Sequence, residues 1–305
     1  MTSSASYDVI FLGVKAHQVE PIVEELQQLL QRNPHCVLVT LQNGIPWWYF
    51  QNLPPSSPQT TKTEEGEKEG EGGGTSASND LYKNQDYFIR AVDPTGIISQ
   101  TINPKQVIGC VVYPAAEMEQ PGLIHHVEGD RFPVGELDHS TTSERVRALS
   151  SLLERAGFKA PVLEDIRAEL WLKLWGSVCF NPVSALCHAT LEELCQYPLT
   201  RQLAVAMMEE VQSIAQRLGA RMRVPLERRI AGAERVGKHK TSTLQDVEAG
   251  RQPEIDAVIG SVVELGRLTG VATPHVNSVY ACIKLLAKMM EDHRACVPLK
   301  SLAEQ

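Results

Sequence analysis

Three polar side chains stand four residues apart in a largely apolar stretch, Ile166 to Leu186, IRAELWLKLWGSVCFNPVSAL. They are Lys173, Ser177 and Asn181. The spacing predicts one long helix on which the three stack into a single stripe. Leu170, Trp171, Leu172, Leu174, Trp175, Val178 and Phe180 surround them, and a helix apolar on nearly every side is a buried one. Burying a lysine costs several kcal/mol unless polar groups meet it. Taken alone, a lysine indicates a solvated face. The stripe and the two tryptophans favour a cleft, where an ammonium, a hydroxyl and an amide together can meet a polar ligand.

The elements that must hold these groups start close to the N-terminus. Residues 7–14, YDVIFLGV, form an apolar run of the kind found in buried parallel strands. A helix is expected from about Val19 to Arg32, with Pro21 in its first turn, followed by a second strand, Cys36 to Leu41. Strand, helix and strand with short links make a βαβ unit and a parallel sheet. Ligands of such sheets sit at the carboxyl ends of the strands. Lys15 follows the first strand and Asn43 the second. Lys15 could equally be a solvated loop residue, and Asn43-Gly44 a plain turn.

Further along, residues 54–80 are rich in Pro, Ser, Gly, Glu and Thr and poor in large apolar side chains. A disordered insertion is expected there, over about 54–85. Strands are expected at Tyr87 to Val92, Gln106 to Tyr113, Gly122 to Val127 and Arg131 to Gly135, as the antiparallel edge of the same sheet. A helix from Ser143 to Ala156 ends at Gly157. Beyond the connector at Pro161 the pattern is helical: Ile166–Leu186, Leu191–Gln196, Pro198–Leu218, Pro225–Val236, Gln252–Thr269 and Thr273 to about Asp292. The fold class is therefore α/β plus all-α, an incomplete Rossmann-like domain over 1–163 and a helical domain over 164–305.

Composition is ordinary for a soluble protein, and a net charge of -8 carries no nucleic-acid footprint. No apolar run approaches a membrane span, and MTSSASYDVIFLG lacks the features of a signal peptide. Seven scattered cysteines without a CxxC fit reduced thiols of a cytoplasmic protein. His125-His126 and His188 have no further ligand at metal-binding spacing, so no metal is expected.

A dinucleotide-binding domain normally opens with strand, GxGxxG and helix. Here the first strand is followed by VKAHQ, and no GxGxxG follows any strand. Four stretches nonetheless resemble the ketopantoate reductase (2-dehydropantoate 2-reductase) family. They are GVKAHQVEPIV with TLQNGI; VIGCVVYPAAE through IHHVEGDRFPVGE; ELWLKLWGSVCFNPVSAL; and KTSTLQDVEAGRQPEIDAVIGSVVELGRLTGVATP. The resemblance starts in the third strand of that family's dinucleotide domain, so its glycine loop is expected upstream of Met1.

The resemblance implies NADPH as cofactor and reduction of ketopantoate to pantoate. It implies that Lys173 is the catalytic lysine, stabilising and protonating the oxygen as hydride reaches the carbonyl carbon. Asn181 and Ser177 would orient the substrate, Ser242 would hold its carboxylate, and Thr241 beside it is an extra donor. Glu254, Lys15, Asn43 and, by its backbone, Ala115 would stand near the cofactor. Position 177 is a departure, serine where the family usually has asparagine. Without the resemblance, Ser242 would be read as a helix N-cap and Glu254 as a charge near a helix start. A non-catalytic scaffold or interaction protein, and a reductase of another 2-oxo acid, are the alternatives. Pairing as a homodimer through the C-terminal helices is the partner arrangement considered, with no nucleic acid and no membrane.

Overall fold

A computed structural model describes residues 6–53 and 87–293. The expected insertion at 54–85 lies outside the described residues. Strand β1 (Val9–Leu12) pairs in parallel with β2 (Val37–Thr40), joined by helix α1 (Val23–Arg32). Val37 to Thr40 are all buried, as befits a strand covered on both faces. The expected helix from Val19 enters as two 3-10 turns, Ala16–Gln18 and Glu20–Ile22, before the α-helix begins. Pro21 has no N–H to give an α-helical ladder, so the chain tightens there instead.

The segment Tyr87 to Val92 is not the strand expected. Three of its donors go to one carboxylate, Glu264, which accepts from the Tyr87 hydroxyl at 2.9 Å and from the amides of Arg90 at 2.9 Å and Ala91 at 2.8 Å. Backbone groups satisfied in this way need no neighbouring strand. Asp93, fully buried, then receives the amides of Ile98 and Ser99 at the start of the short helix α2 (Ile97–Thr101).

Strand β3 (Val107–Cys110) adds to β2 in parallel. Next come β4 (Ala115–Gln120) and β5 (Leu123–Glu128), which pair only with each other as a separate hairpin. Only β6 (Val134–Glu136) forms the antiparallel edge expected of the main sheet, whose order is β1-β2-β3-β6. The difference is physical: residues 123–128 are exposed throughout, so no apolar face draws the hairpin onto the sheet. Helix α3 (Glu144–Arg155), capped by Ser143, packs on β6.

Asp165 caps the long helix α4 (Ile166–Cys187), accepting from the amide of Ala168. Trp171, Trp175 and Val178 are fully buried, as its sequence requires. One apolar cluster runs from Leu12 and Trp48 through Trp171 and Trp175 to Val262 and Ile283, so sheet and helices share a core. Arg167, 2% exposed, donates to the carbonyls of Tyr49, Gln51 and Leu137. It thereby fixes the loop after β2 against α4. The helices that follow are α5 (Leu191–Gln196), α6 (Pro198–Arg217), α7 (Leu226–Arg235) and α8 (Ser242–Glu248). A π-turn (Asp256–Gly260) leads into α9 (Ser261–Thr269), and α10 (Pro274–His293) crosses α4. Among the described residues no helix is long and apolar enough to cross a membrane.

Candidate active site

Besides the Arg167 contacts, the loop after β2 meets α4 at a second charged group. The Lys173 ammonium donates to Asn43 Oδ1 at 2.6 Å. Asn43 in turn donates through Nδ2 to Glu254 Oε2 at 3.3 Å. The other carboxylate oxygen, Oε1, accepts from the backbone amide of Ala16 at 3.0 Å. Three elements remote in sequence, the β1 end, the β2 end and the segment before the π-turn, therefore close around the lysine.

Local backbone chemistry makes this possible. Gly44 has φ +87, and a Cβ built on it would lie 2.0 Å from the Ala257 carbonyl oxygen. That carbonyl accepts from the Ile45 amide at 3.1 Å and the Ser261 hydroxyl at 2.7 Å. The left-handed glycine thus lets the β2 loop seat directly on the π-turn, two residues after Glu254.

The environment of Lys173 is electrostatically distinctive. Protein atoms crowd its ammonium, and that desolvation pushes its pKa from 10.5 down to about 8. The Glu254 carboxylate works in the opposite direction, and the Cys110 thiol at the end of β3 is the other titratable group beside the lysine. Burial pushes the Cys110 thiol itself up to about 12, so it stays neutral at ordinary pH.

The remaining residues expected at the site divide into groups. Asn181 donates to Ser242 Oγ at 3.4 Å, which brings α4 and α8 together one helical turn beyond Ser177. Ser242 is the first residue of α8, and the N-cap is Thr241 instead, whose hydroxyl accepts from Leu244. Thr241 is 4% exposed, so its hydroxyl is committed to the helix start. The Ser177 hydroxyl bonds back to the Lys173 carbonyl at 3.4 Å, a usual use of serine inside a helix. Lys15 bridges β1 to the helical half, donating to Asp246 Oδ2 and to the Gln252 carbonyl, each at 2.8 Å. Ala115 opens the hairpin, five residues past Cys110, and shares no hydrogen bond with the Lys173 group.

Two participants were not singled out from sequence. Asp246 stands four residues after Ser242 on α8 and holds both Lys15 and Arg251. That spacing was available as a signal. Cys110 had none, since a buried cysteine at a strand end is ordinary.

The carboxyl ends of the parallel strands β1 and β2 thus face a half-buried lysine from the helical half, the arrangement of a Rossmann-like α/β class. Comparison with known proteins narrows this. Residues 165–287 match the model described as ketopantoate reductase PanE/ApbA C terminal, and residues 1–46 match ketopantoate reductase PanE/ApbA. A 2-dehydropantoate 2-reductase of Mesorhizobium japonicum is 44% identical over 280 residues, covering 92% of this chain and 77% of that protein. A second, from Pyrobaculum aerophilum, is 36% identical over 140 residues, 46% of this chain and 50% of that one.

Solved structures agree. A Ralstonia solanacearum protein assigned as a ketopantoate reductase superposes with a TM-score of 0.79 at 32% identity, over 93% of this chain and 78% of that chain. D-mandelate dehydrogenase with NADH and anilino(oxo)acetate shares the fold, with a TM-score of 0.70 at 17% identity over 94% and 78% of the two chains. The chain belongs to the ketopantoate reductase family. Its class is that of oxidoreductases of the 2-dehydropantoate 2-reductase type.

Proposed function

We propose that this chain reduces 2-dehydropantoate to pantoate with NADPH, a step of pantothenate and coenzyme A synthesis, and that Lys173 is its catalytic residue. The observation that carries the proposal is the chain of polar contacts from Lys173 through Asn43 to Glu254. Bound reduced nicotinamide supplies hydride to the carbonyl carbon of the substrate. Negative charge then gathers on the carbonyl oxygen, where the Lys173 ammonium stabilises it and gives up a proton. A lysine with a pKa of about 8 is mostly charged at pH 7, yet releases its proton more readily than one at 10.5. Asn43 aims the ammonium, and Glu254 opposes its desolvation so that it stays charged.

Ser242 with Asn181 forms the substrate side, where the serine takes the carboxylate, and Thr241 and Ser177 support their two helix segments. Lys15, Ala115 and Glu254 stand on the cofactor side. The residues present suit the reacting end of a dinucleotide. Among the described residues no glycine loop follows a strand to receive the pyrophosphate, since the link after β1 is a 3-10 turn. Exposed Leu285 and Met289 on α10, one turn apart, support self-association of two copies through the C-terminal helices. A cytoplasmic location is in keeping with the six described cysteines, all free thiols.

The test is a fluorescence titration of the chain with NADPH, with and without ketopantoate, followed by turnover. Saturable binding and turnover that Lys173→Ala abolishes are expected. A folded chain that binds neither NADPH nor NADH would sink the proposal. Faster turnover of another branched 2-oxo acid would correct the substrate.

A further inference from the structure

A cavity of about 660 Å³ lies between residues 87–94 and the helical half. Asp256, Gly260, Val263, Glu264 and Arg267 line it at helical spacing, one stripe of the π-turn and α9. Glu254 is not on that stripe, so the cavity is separate from the Lys173 site. Its volume falls within the range of small-molecule pockets, on the order of 300–1,000 Å³.

Charge in the cavity is unevenly satisfied. Both carboxylates are used inward. Glu264 takes the Tyr87 hydroxyl and two backbone amides, while Asp256 takes the Tyr280 hydroxyl at 2.7 Å and the Lys284 ammonium at 2.8 Å. Arg90 and Arg267 also line the cavity, and neither has a hydrogen bond or ion pair from its side chain among the described residues. With Lys284 paired to Asp256, three cations stand against the two carboxylates around the cavity, a small local excess of positive charge on a chain of net charge -8. Between them lie apolar walls, Val263, Leu268 and Pro94, and the rings of Tyr87 and Tyr280.

Guanidinium pairs bind phosphate with forked, parallel hydrogen bonds, and tyrosine rings accept a flat apolar body. We propose that this cavity is a second ligand site, specific for an organic phosphate whose phosphoryl group meets Arg90 and Arg267 and whose apolar body packs on Tyr87, Tyr280 and Val263. Because Asp256 and Gly260 belong to the turn that follows Glu254, a ligand here bears on the segment that positions the reductase site.

Calorimetric titration of the full chain with phenyl phosphate tests this, with inorganic phosphate and phenol as comparators. Saturable binding with a Kd of about 1 mM or tighter is expected. Inorganic phosphate and phenol should each bind more weakly, since each offers half of the chemistry. The double variant Arg90→Gln/Arg267→Gln should weaken phenyl phosphate at least about tenfold, whereas Lys15→Ala and Lys173→Ala should leave it unchanged. Absence of saturable binding, or affinity kept in the arginine variant and lost in either lysine variant, overturns the proposal. If the double variant does not fold, Arg267→Lys keeps the charge and loses the fork, and it must still weaken binding about threefold. Unchanged affinity in Arg267→Lys would then refute the site. The outcome does not depend on turnover, so it stands apart from the reductase proposal.

Discussion

Replacing Lys173 with methionine should make the protein more stable while ending its activity. The drop in the Lys173 pKa from 10.5 to about 8 corresponds to roughly 3 kcal/mol by which the fold disfavours the charged lysine. Methionine has a similar unbranched stem and no charge to desolvate. It does leave Asn43 Oδ1 without its donor, which costs about 1 kcal/mol. The net expectation at pH 7 is a gain of roughly 2 kcal/mol, or a rise of several degrees in the thermal midpoint.

The pH dependence follows from the sign of the shift. Between about 8 and 10.5 the unfolded chain holds a proton on this lysine that the folded chain has released. Stability of the wild type attributable to Lys173 therefore rises across that interval as the penalty on the charged form is relieved. The gain from Lys173→Met should be full below pH 8 and shrink towards zero near pH 10.5. Thermal melts of both proteins at pH 7, 8.5 and 10 measure it. A variant less stable than wild type at pH 7, or a difference that does not change with pH, would refute the claim that desolvation dominates at this lysine.

Other outcomes are equally specific. Gly44→Ala places a Cβ 2.0 Å from the Ala257 carbonyl on a residue with φ +87, so it should lose at least about 2 kcal/mol of stability and most turnover, read by melting and initial rates. Glu254→Gln removes the carboxylate that favours the charged form of Lys173, so the pH above which kcat falls should move from about 8 to lower values, and an unmoved profile would exclude the coupling. Asn43→Ala should lower kcat more than it raises KM for the 2-oxo acid, because the ammonium loses its aim. Arg167→Met strips donors from two buried carbonyls and one half-buried one and should cost roughly 3 kcal/mol or more, visible as a lowered urea midpoint.

The family resemblance and the main elements were legible in the chain because they rest on local patterns. A run such as CVLVTL can be buried on both faces as a parallel strand, and IRAELWLKLWGSVCF is apolar on nearly every side of a helix. Gly157 marks a helix end at positive φ, where the sequence placed it. Tyr87 to Val92 had strand-like composition but became a turn, because Glu264, more than 170 positions away, took its amides. Gly122 to Val127 looked like sheet edge but pairs with β4, a strand the sequence did not suggest, since strand periodicity does not reveal which strand is the neighbour.

At the site the division is the same. Sequence alone determined that a lysine, a serine and an asparagine share one face of a buried helix, since that follows from 3.6 residues per turn. Only the tertiary structure decided that the lysine meets Asn43 across 130 positions, that Glu254 closes on Asn43 and Ala16, and that Asp246 holds Lys15. Those contacts, and the fall of the Lys173 pKa, depend on which distant groups exclude water from one point. No local pattern encodes that, because desolvation and long-range pairing belong to the packed chain as a whole.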